Sequence, residues 1–291
     1  MEKQHFSDRS GEMERYADFA SQFIPARHVD VWLPPGYEAG LQARYPVIYM
    51  HDGQNLFDPA LSYAGVDWGM DEAITRLAQT GHCRPAIVVG VWNHGMQRWH
   101  EYMPERPFTA PPPGSRPAWF TDQHAAIIEE RRQWFTENRG GLPYSDRYLR
   151  FLVSELKPFI DGTYRTLPGR DDTLVMGSSM GGLISLYAML EYPDIFGRAG
   201  CLSTHWPAGP ELLLPYVQMC VPPPASHRIY FDYGTETLDA SYEPYQMQVN
   251  QLFFQAGYRA GQELLSLNFP GDEHSERAWR NRVHEALMFL L

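Results

Sequence analysis

Short apolar runs bounded by Gly, Pro and Asp alternate along this chain with longer stretches in which apolar residues recur every three to four positions. The short runs predict strands over 28–33, 46–51, 86–92, 173–177, 199–203, 228–232 and 263–269. Several are continuous β-branched or aromatic runs without alternation, as strands buried on both faces require. Between Tyr148 and Ile160, the residues Leu149, Leu152, Val153, Leu156, Phe159 and Ile160 follow helical spacing, with Ser145 or Asp146 placed to cap it. Helical patterns also cover 180–191, 242–256 and 276–290. Strands alternating with helices predict an α/β fold, a mostly parallel central sheet with helices on both faces.

The stretch 93–142 breaks the alternation. It is rich in Pro, Arg, Trp and Phe, contains one predicted helix over 122–136, and holds the chain's low-complexity patch, Pro111-Pro112-Pro113-Gly114. A long excursion between two strands is expected to be a lid or a pocket wall. The expectation is one α/β domain over 1–291 carrying this lid-like insertion.

Charge and composition narrow the function classes. A net charge of -11 and the lack of any Lys/Arg-rich run argue against nucleic acid or an anionic membrane as partner. No apolar run has the length needed to span a bilayer. The opening residues, Met1 to Asp8, lack the apolar core of a secretory signal. Cys83, Cys201 and Cys220 are far apart and in no metal-ligand spacing, which suits a reducing compartment. A cytoplasmic protein without a metal site is expected.

The candidate chemistry begins at Gly177-Ser178-Ser179-Met180-Gly181-Gly182, which follows a predicted strand and opens a predicted helix. This is G-x-S-x-G in the strand–turn–helix context that gives the motif meaning. A Ser at the tip of so sharp a turn needs small residues two before and two after, and Gly177 and Gly181 supply them. The helix start behind Ser179 offers free N–H groups where an oxyanion would form. Ser178 is out of register, because Gly181 would then lie three residues on.

In this arrangement an acid and then a His should follow the Ser, each after a strand. Of the later histidines, His274 lies in a loop between the last predicted strand and the last predicted helix, where the general base belongs. His284 falls inside the helix pattern, His227 precedes a strand, and His205 arrives too early for the base. For the acid, the turn after 228–232 offers Glu236 and Asp239, with Asp232 in the strand itself a third candidate. Asp239 is preferred, because a short Asp past the strand end, behind Leu238, can curl back to the imidazole. Glu236 sits only two residues after Gly234 and is expected to point along the strand or into solvent.

Together these segments resemble the "putative esterase" family of α/β hydrolases, the group of esterase D-like enzymes, feruloyl esterases, enterobactin-type siderophore esterases and mycolyltransferases. The resemblance runs through Arg27-His28-Val29-Asp30-Val31-Trp32-Leu33-Pro34-Pro35-Gly36-Tyr37, then Tyr45 to Asp58 around His51-Asp52-Gly53-Gln54. It continues through Arg98 with Glu101-Tyr102, the Ser179 turn, Gly234-Thr235, and Gly271 to Trp279 around His274. The resemblance implies an oxyanion hole made by the backbone N–H groups of Met180 and Gln54. One position departs from it: many relatives carry the acid three residues after the turn Gly, where this chain has Thr237.

The expected function is a carboxylic-ester hydrolase with Ser179, Asp239 and His274 as triad, a small-molecule ester as substrate and no cofactor. Acyl transfer to an alcohol acceptor is the alternative within the same chemistry, and a non-catalytic binding protein of this fold is the rival from another class. Trp68, His205 and Trp206 are candidates for the pocket wall, each competing with a plain core role. Arg98 and Glu101 are read as a structural ion pair beneath the site.

Overall fold

The computed structural model describes residues 2–8, 11–40, 42–111 and 120–291. Among them, one sheet contains β1 (Glu2–Asp8), β2 (Gly11–Phe19), β3 (Arg27–Leu33), β4 (Val47–His51), β5 (Ile87–Val91), β6 (Thr173–Ser178), β7 (Arg198–Leu202), β8 (Arg228–Gly234) and β9 (Leu264–Phe269). Their spatial order is β1-β2-β3-β5-β4-β6-β7-β8-β9. The first three strands are antiparallel and β3 joins β5 antiparallel; from β5 onward every neighbour is parallel. The helices are α1 (Met70–Gln79), α2 (Arg98–Tyr102), α3 (Asp122–Arg139), α4 (Ser145–Phe151), α5 (Lys157–Thr163), α6 (Met180–Glu191), α7 (Pro210–Cys220), α8 (Glu243–Gln255) and α9 (Glu276–Leu290).

Period-two alternation divides the central strands between two cores. Ile48, Met50, Leu174 and Met176 face Ile74 and Leu77 of α1 and Val283 and Leu287 of α9. Val47, Tyr49 and Val175 face the opposite layer, with Leu149 of α4, Leu183 of α6 and Val249 of α8. Each fully buried aliphatic side chain of this kind contributes about 1.5–3 kcal/mol. Because helices cover both faces, these strands show no polar alternation, as their sequence predicts.

The remaining differences from the sequence reading have physical causes. The first hairpin, β1–β2, carries charged residues such as Glu12, Glu14 and Arg15 and does not read as an apolar run. Arg15 there forms a two-bond pair with Asp30 of β3, at 2.7 and 2.8 Å. Helix α1 is absent from the reading although Met70, Ala73, Ile74 and Leu77 have helical spacing and are buried. Helix α7 is hidden by Pro210 and Pro215. The expected cap at Ser145 or Asp146 is corrected: Tyr144 is the cap residue, with no side-chain bond, and Ser145 is the first helical residue. Between α4 and α5 the helix widens into a π segment, Leu152–Leu156, just before Pro158, whose missing N–H cannot close an ordinary turn. The Pro-rich patch predicted at 111–114 lies, from Pro112 on, outside the described residues. No helix among the described residues is long and apolar enough to cross a membrane.

The parallel strands bring five connections to one edge of the sheet. Asp52 follows β4, Ser179 follows β6, Ser203 follows β7, Asp239 follows β8 and His274 follows β9.

Candidate active site

Ser179 stands between β6 and α6 with φ 58 and ψ -122, a conformation that side-chain-bearing residues rarely adopt. Such strain costs on the order of 1–3 kcal/mol and persists only where the surroundings hold it. Here the Ser179 N–H donates to the Leu202 carbonyl at 2.9 Å, and the Ser179 carbonyl accepts from Leu183 and His205 N–H. The flanking glycines are required sterically: a Cβ on Gly177 would lie 2.8 Å from the Gly181 backbone. Met180 is the first residue of α6, so its N–H has no partner within the helix.

The second N–H expected at the oxyanion position lies in the short helical turn Gly53–Asn55 after β4. Asp52, which starts the turn, also has positive φ, 58. Its carboxylate receives two bonds from Arg98, both 2.7 Å, and one from Asn93 at 2.7 Å. Its own N–H donates to the Tyr102 hydroxyl at 3.2 Å. Burial alone would raise the Asp52 carboxyl, but Arg98 and Asn93 outweigh it and hold it below the usual carboxylate range. Gly53 packs directly on Gly90 of β5, where a Cβ would come within 2.4 Å of backbone. The turn is also close to the Ser179 elbow, since a Cβ on Gly181 would lie 3.3 Å from Asp52 Oδ2.

Asp239 Oδ1 lies 2.6 Å from His274 Nδ1. The other oxygen, Oδ2, accepts from Ser203 Oγ at 2.5 Å and from the Gly234 N–H at 2.7 Å. Burial pushes this carboxyl up, yet the bonds from His274, Ser203 and Gly234 prevail and set it below its ordinary value. Ser203 in turn accepts from Trp279 Nε1 at 3.0 Å and Arg282 Nη2 at 2.7 Å. The His274 ring is packed edge-on against Trp279 at 5.0 Å and Tyr242 at 5.7 Å. Thr237 accepts a bond from the His274 N–H at 2.9 Å. Glu236 is exposed, and Asp232 is committed to Arg282, Tyr230 and the Ser203 N–H.

Other expectations change. Arg98 and Glu101 do not pair with each other: Arg98 holds Asp52, and Glu101 pairs with buried Arg27 at 2.6 and 2.9 Å. Trp68 does not wall the site, because it is buried against Trp279, ring centroids 5.4 Å apart, and so backs the His274 region from the core. Trp206 is fully buried, donating from Nε1 to Gln246 at 3.0 Å. His205 does face the cleft, with Nδ1 2.6 Å from the Tyr242 hydroxyl. Burial, aided by the charges of His274, Arg98 and Arg139, pulls the His205 imidazole down to about 4.

A cleft of about 240 Å³ opens beside Ser179 and Met180. Trp99, Trp134, Phe135 and Arg139, all between β5 and β6 in the chain, form much of its wall, and the connections after β7 and β8 add His205 and Leu238. The sequence pattern assigned no site role to Ser203, Tyr242, Trp279 and Arg282. Trp279 and Arg282 were discoverable as an i, i+3 pair on the helix that follows His274; Ser203 and Tyr242 gave no local signal.

Comparison with known proteins agrees with this architecture. The family model described as "Putative esterase" matches residues 22–128 and 120–290. An uncharacterised Bacillus subtilis protein, YbbA, is 24% identical over 271 residues, covering 91% of this chain and 92% of that protein. Ferri-bacillibactin esterase BesA of Bacillus subtilis is 30% identical over 173 residues, covering 56% of this chain and 50% of BesA. A solved ferulic acid esterase superposes with a TM-score of 0.66 at 17% identity, covering 96% of this chain and 97% of that one.

Proposed function

This chain belongs to the "putative esterase" family of α/β hydrolases, and from that premise we propose that it hydrolyses small carboxylic esters through a Ser179–His274–Asp239 triad and a covalent acyl-enzyme. The observation that carries the reading is the 2.6 Å bond between Asp239 and His274 Nδ1. That pair is tied through Ser203 to the end of β7, whose preceding residue, Leu202, anchors the strained Ser179 backbone.

In the reaction, Ser179 Oγ attacks the ester carbonyl as His274 Nε2 takes its proton. Asp239 keeps Nδ1 protonated, so Nε2 is the free base, and stabilises the imidazolium that results. The tetrahedral oxyanion sits against the N–H groups of Met180 and Gln54, the second held in place by the Asp52–Arg98 pair. The alcohol leaves with the proton from His274. Water then gives its proton to His274, attacks the acyl-enzyme, and the acid departs as Ser179 regains its hydrogen. The aromatic wall of Trp99, Trp134 and Phe135 suits a flat or apolar acyl group, in keeping with the substrate named for the ferulic acid esterase. The chain acts as one α/β unit, with Trp99 and the α3 residues Arg131, Trp134, Phe135 and Arg139 as the pocket wall.

The test is a fluorophosphonate probe and a panel of p-nitrophenyl and feruloyl esters. Wild type should be labelled at Ser179 and active; Ser179→Ala should lose both, with melting unchanged because no cavity forms. Ser178→Ala should be far milder. Labelling that survives in Ser179→Ala would move the nucleophile elsewhere.

A further inference from the structure

The cleft contains a charge that the ester chemistry above does not use. Arg139 ends α3, and its guanidinium carbon lies 5.4 Å from the Trp99 ring centre and 5.6 Å from that of Trp134. It lines the same cleft as Ser179 and Met180. Among the described residues no carboxylate pairs with it. Its cleft neighbour Arg131 is neutralised by Glu211 at 2.6 Å, and Arg98 by Asp52 at 2.7 Å. Scarcity of acids is no explanation in a chain with 35 Asp and Glu against 24 Lys and Arg.

The helix C-terminus and the two indoles account for where Arg139 stands, since both favour a cation. They leave something over. Among the described residues the Arg139 guanidinium donates no hydrogen bond, so its N–H donors have no partner within the protein there. That planar fork matches the two oxygens of a carboxylate. The field of Arg139 also reaches inward, since it is one of the charges that depress His205 beside the nucleophile.

We propose that Arg139 is a specificity residue that binds a carboxylate carried by the substrate, so that the esterase prefers acidic esters whose anionic end lodges in the cleft between Trp99 and Trp134. Resting on the esterase reading, the proposal sets the substrate class: half-esters of dicarboxylic acids, or aromatic esters bearing a second carboxylate. The cleft of about 240 Å³ fits a short acid of this type.

The test compares mono-p-nitrophenyl adipate with p-nitrophenyl hexanoate, which differ in a terminal carboxylate against a methyl group. Wild type should prefer the adipate by about ten-fold or more in kcat/KM, and the preference should fall as salt rises, as for a charge contact near the surface. Arg139→Gln should reduce the adipate-to-hexanoate ratio by about ten-fold, mainly through KM on the adipate; Arg139→Lys should fall between, keeping charge without the fork. Arg132→Gln, the same charge change on the same helix outside the cleft, should leave the ratio in place. In parallel, monomethyl adipate binding to Ser179→Ala is followed by tryptophan fluorescence, with and without Arg139→Gln. Esters hydrolysed with a ratio that Arg139→Gln does not move, or no wild-type preference for the adipate, overturns the proposal and leaves the esterase reading standing. Hydrolysis of neither ester overturns the esterase reading, and the binding arm then decides: a ten-fold loss in Arg139→Gln sustains the carboxylate contact, and equal binding ends it.

Discussion

Asp239 and Glu236 are three residues apart on one turn and have opposite surroundings. Asp239 is buried with both oxygens bonded, to His274 on one side and to Ser203 and the Gly234 N–H on the other. Glu236 faces solvent. An Asn at 239 would present an amide to His274 and favour the wrong imidazole tautomer. The corresponding change in a serine-protease triad costs roughly ten-thousand-fold in kcat. Asp239→Asn is therefore expected to lower kcat at least about a hundred-fold, and Glu236→Gln less than about ten-fold. Steady-state kinetics on both variants read this directly, and the reverse ranking would reassign the acid. Ser203→Ala removes one of the bonds holding Asp239 and is expected to act through His274 orientation, with a smaller loss in kcat and little change in KM.

At the scale of elements, the helices between β5 and β6 have two separable tasks. Helix α2 props the Gly53–Asn55 turn through Arg98, and α3 forms the cleft wall. Adjacent residues of α3 should therefore respond differently. Both line the cleft, but Trp134 is 41% exposed, whereas Phe135 is 1% exposed and packs on Trp99 and Phe108. Trp134→Ala should change KM and substrate ranking with stability altered by less than about 1 kcal/mol, as for an exposed site away from the core. Phe135→Ala should cost about 3–5 kcal/mol, the cavity penalty of a buried ring. Thermal melts beside an ester panel check both, and a stable Phe135→Ala protein would mean that α3 is not anchored as described. Deleting 105–111 would not isolate the cleft wall. Arg106 there pairs with Glu191 at 2.8 Å and Phe108 is in the core, so stability would fall with it.

At the scale of the whole molecule, buried His51 and half-buried His205 shape the pH response. Burial, with some help from Arg98, holds His51 down at about 3, and burial holds His205 at about 4. In the unfolded chain both titrate near the reference value of about 6.5. Between these limits the unfolded state binds protons that the native state refuses, so stability falls as pH drops from about 6.5 to about 4. Each such histidine contributes a slope of up to about 1.4 kcal/mol per pH unit in that window, and none above it. Denaturant unfolding at pH 7.5, 6, 5 and 4.5 should show the decline, and His205→Gln should flatten it. An unchanged slope in that variant would mean that His205 protonates in the native state. The Asp239 carboxyl adds stability of opposite origin: its folded value is depressed, so its contribution is present above the ordinary carboxylate range and is lost only as pH falls below it.

The sequence by itself determined the class of fold, because strands buried on both faces must be continuous apolar runs and the helices covering them must be amphipathic. It placed Ser179 in a strained turn between Gly177 and Gly181, as the structure shows, and it proposed His274 as base by its place between the last strand and the last helix. For the acid it left Asp239, Glu236 and Asp232 as candidates, with Asp239 preferred. Only the tertiary structure decided what depends on which side chains meet. Arg98 reaches Asp52 across 46 residues and Glu101 reaches Arg27 across 74, partners that no local pattern could pair. Trp68 and Trp206 have the sequence positions of pocket residues, yet the packing of α1, α8 and α9 against the sheet takes both rings into the core. The Arg139 guanidinium, one of three on α3, becomes distinct only when the fold sets it near two indoles in the cleft that Ser179 lines and pairs it with no acid among the described residues. Local spacing encodes backbone form, whereas the pairing of distant charges is fixed by the register of the sheet and the layers folded onto it.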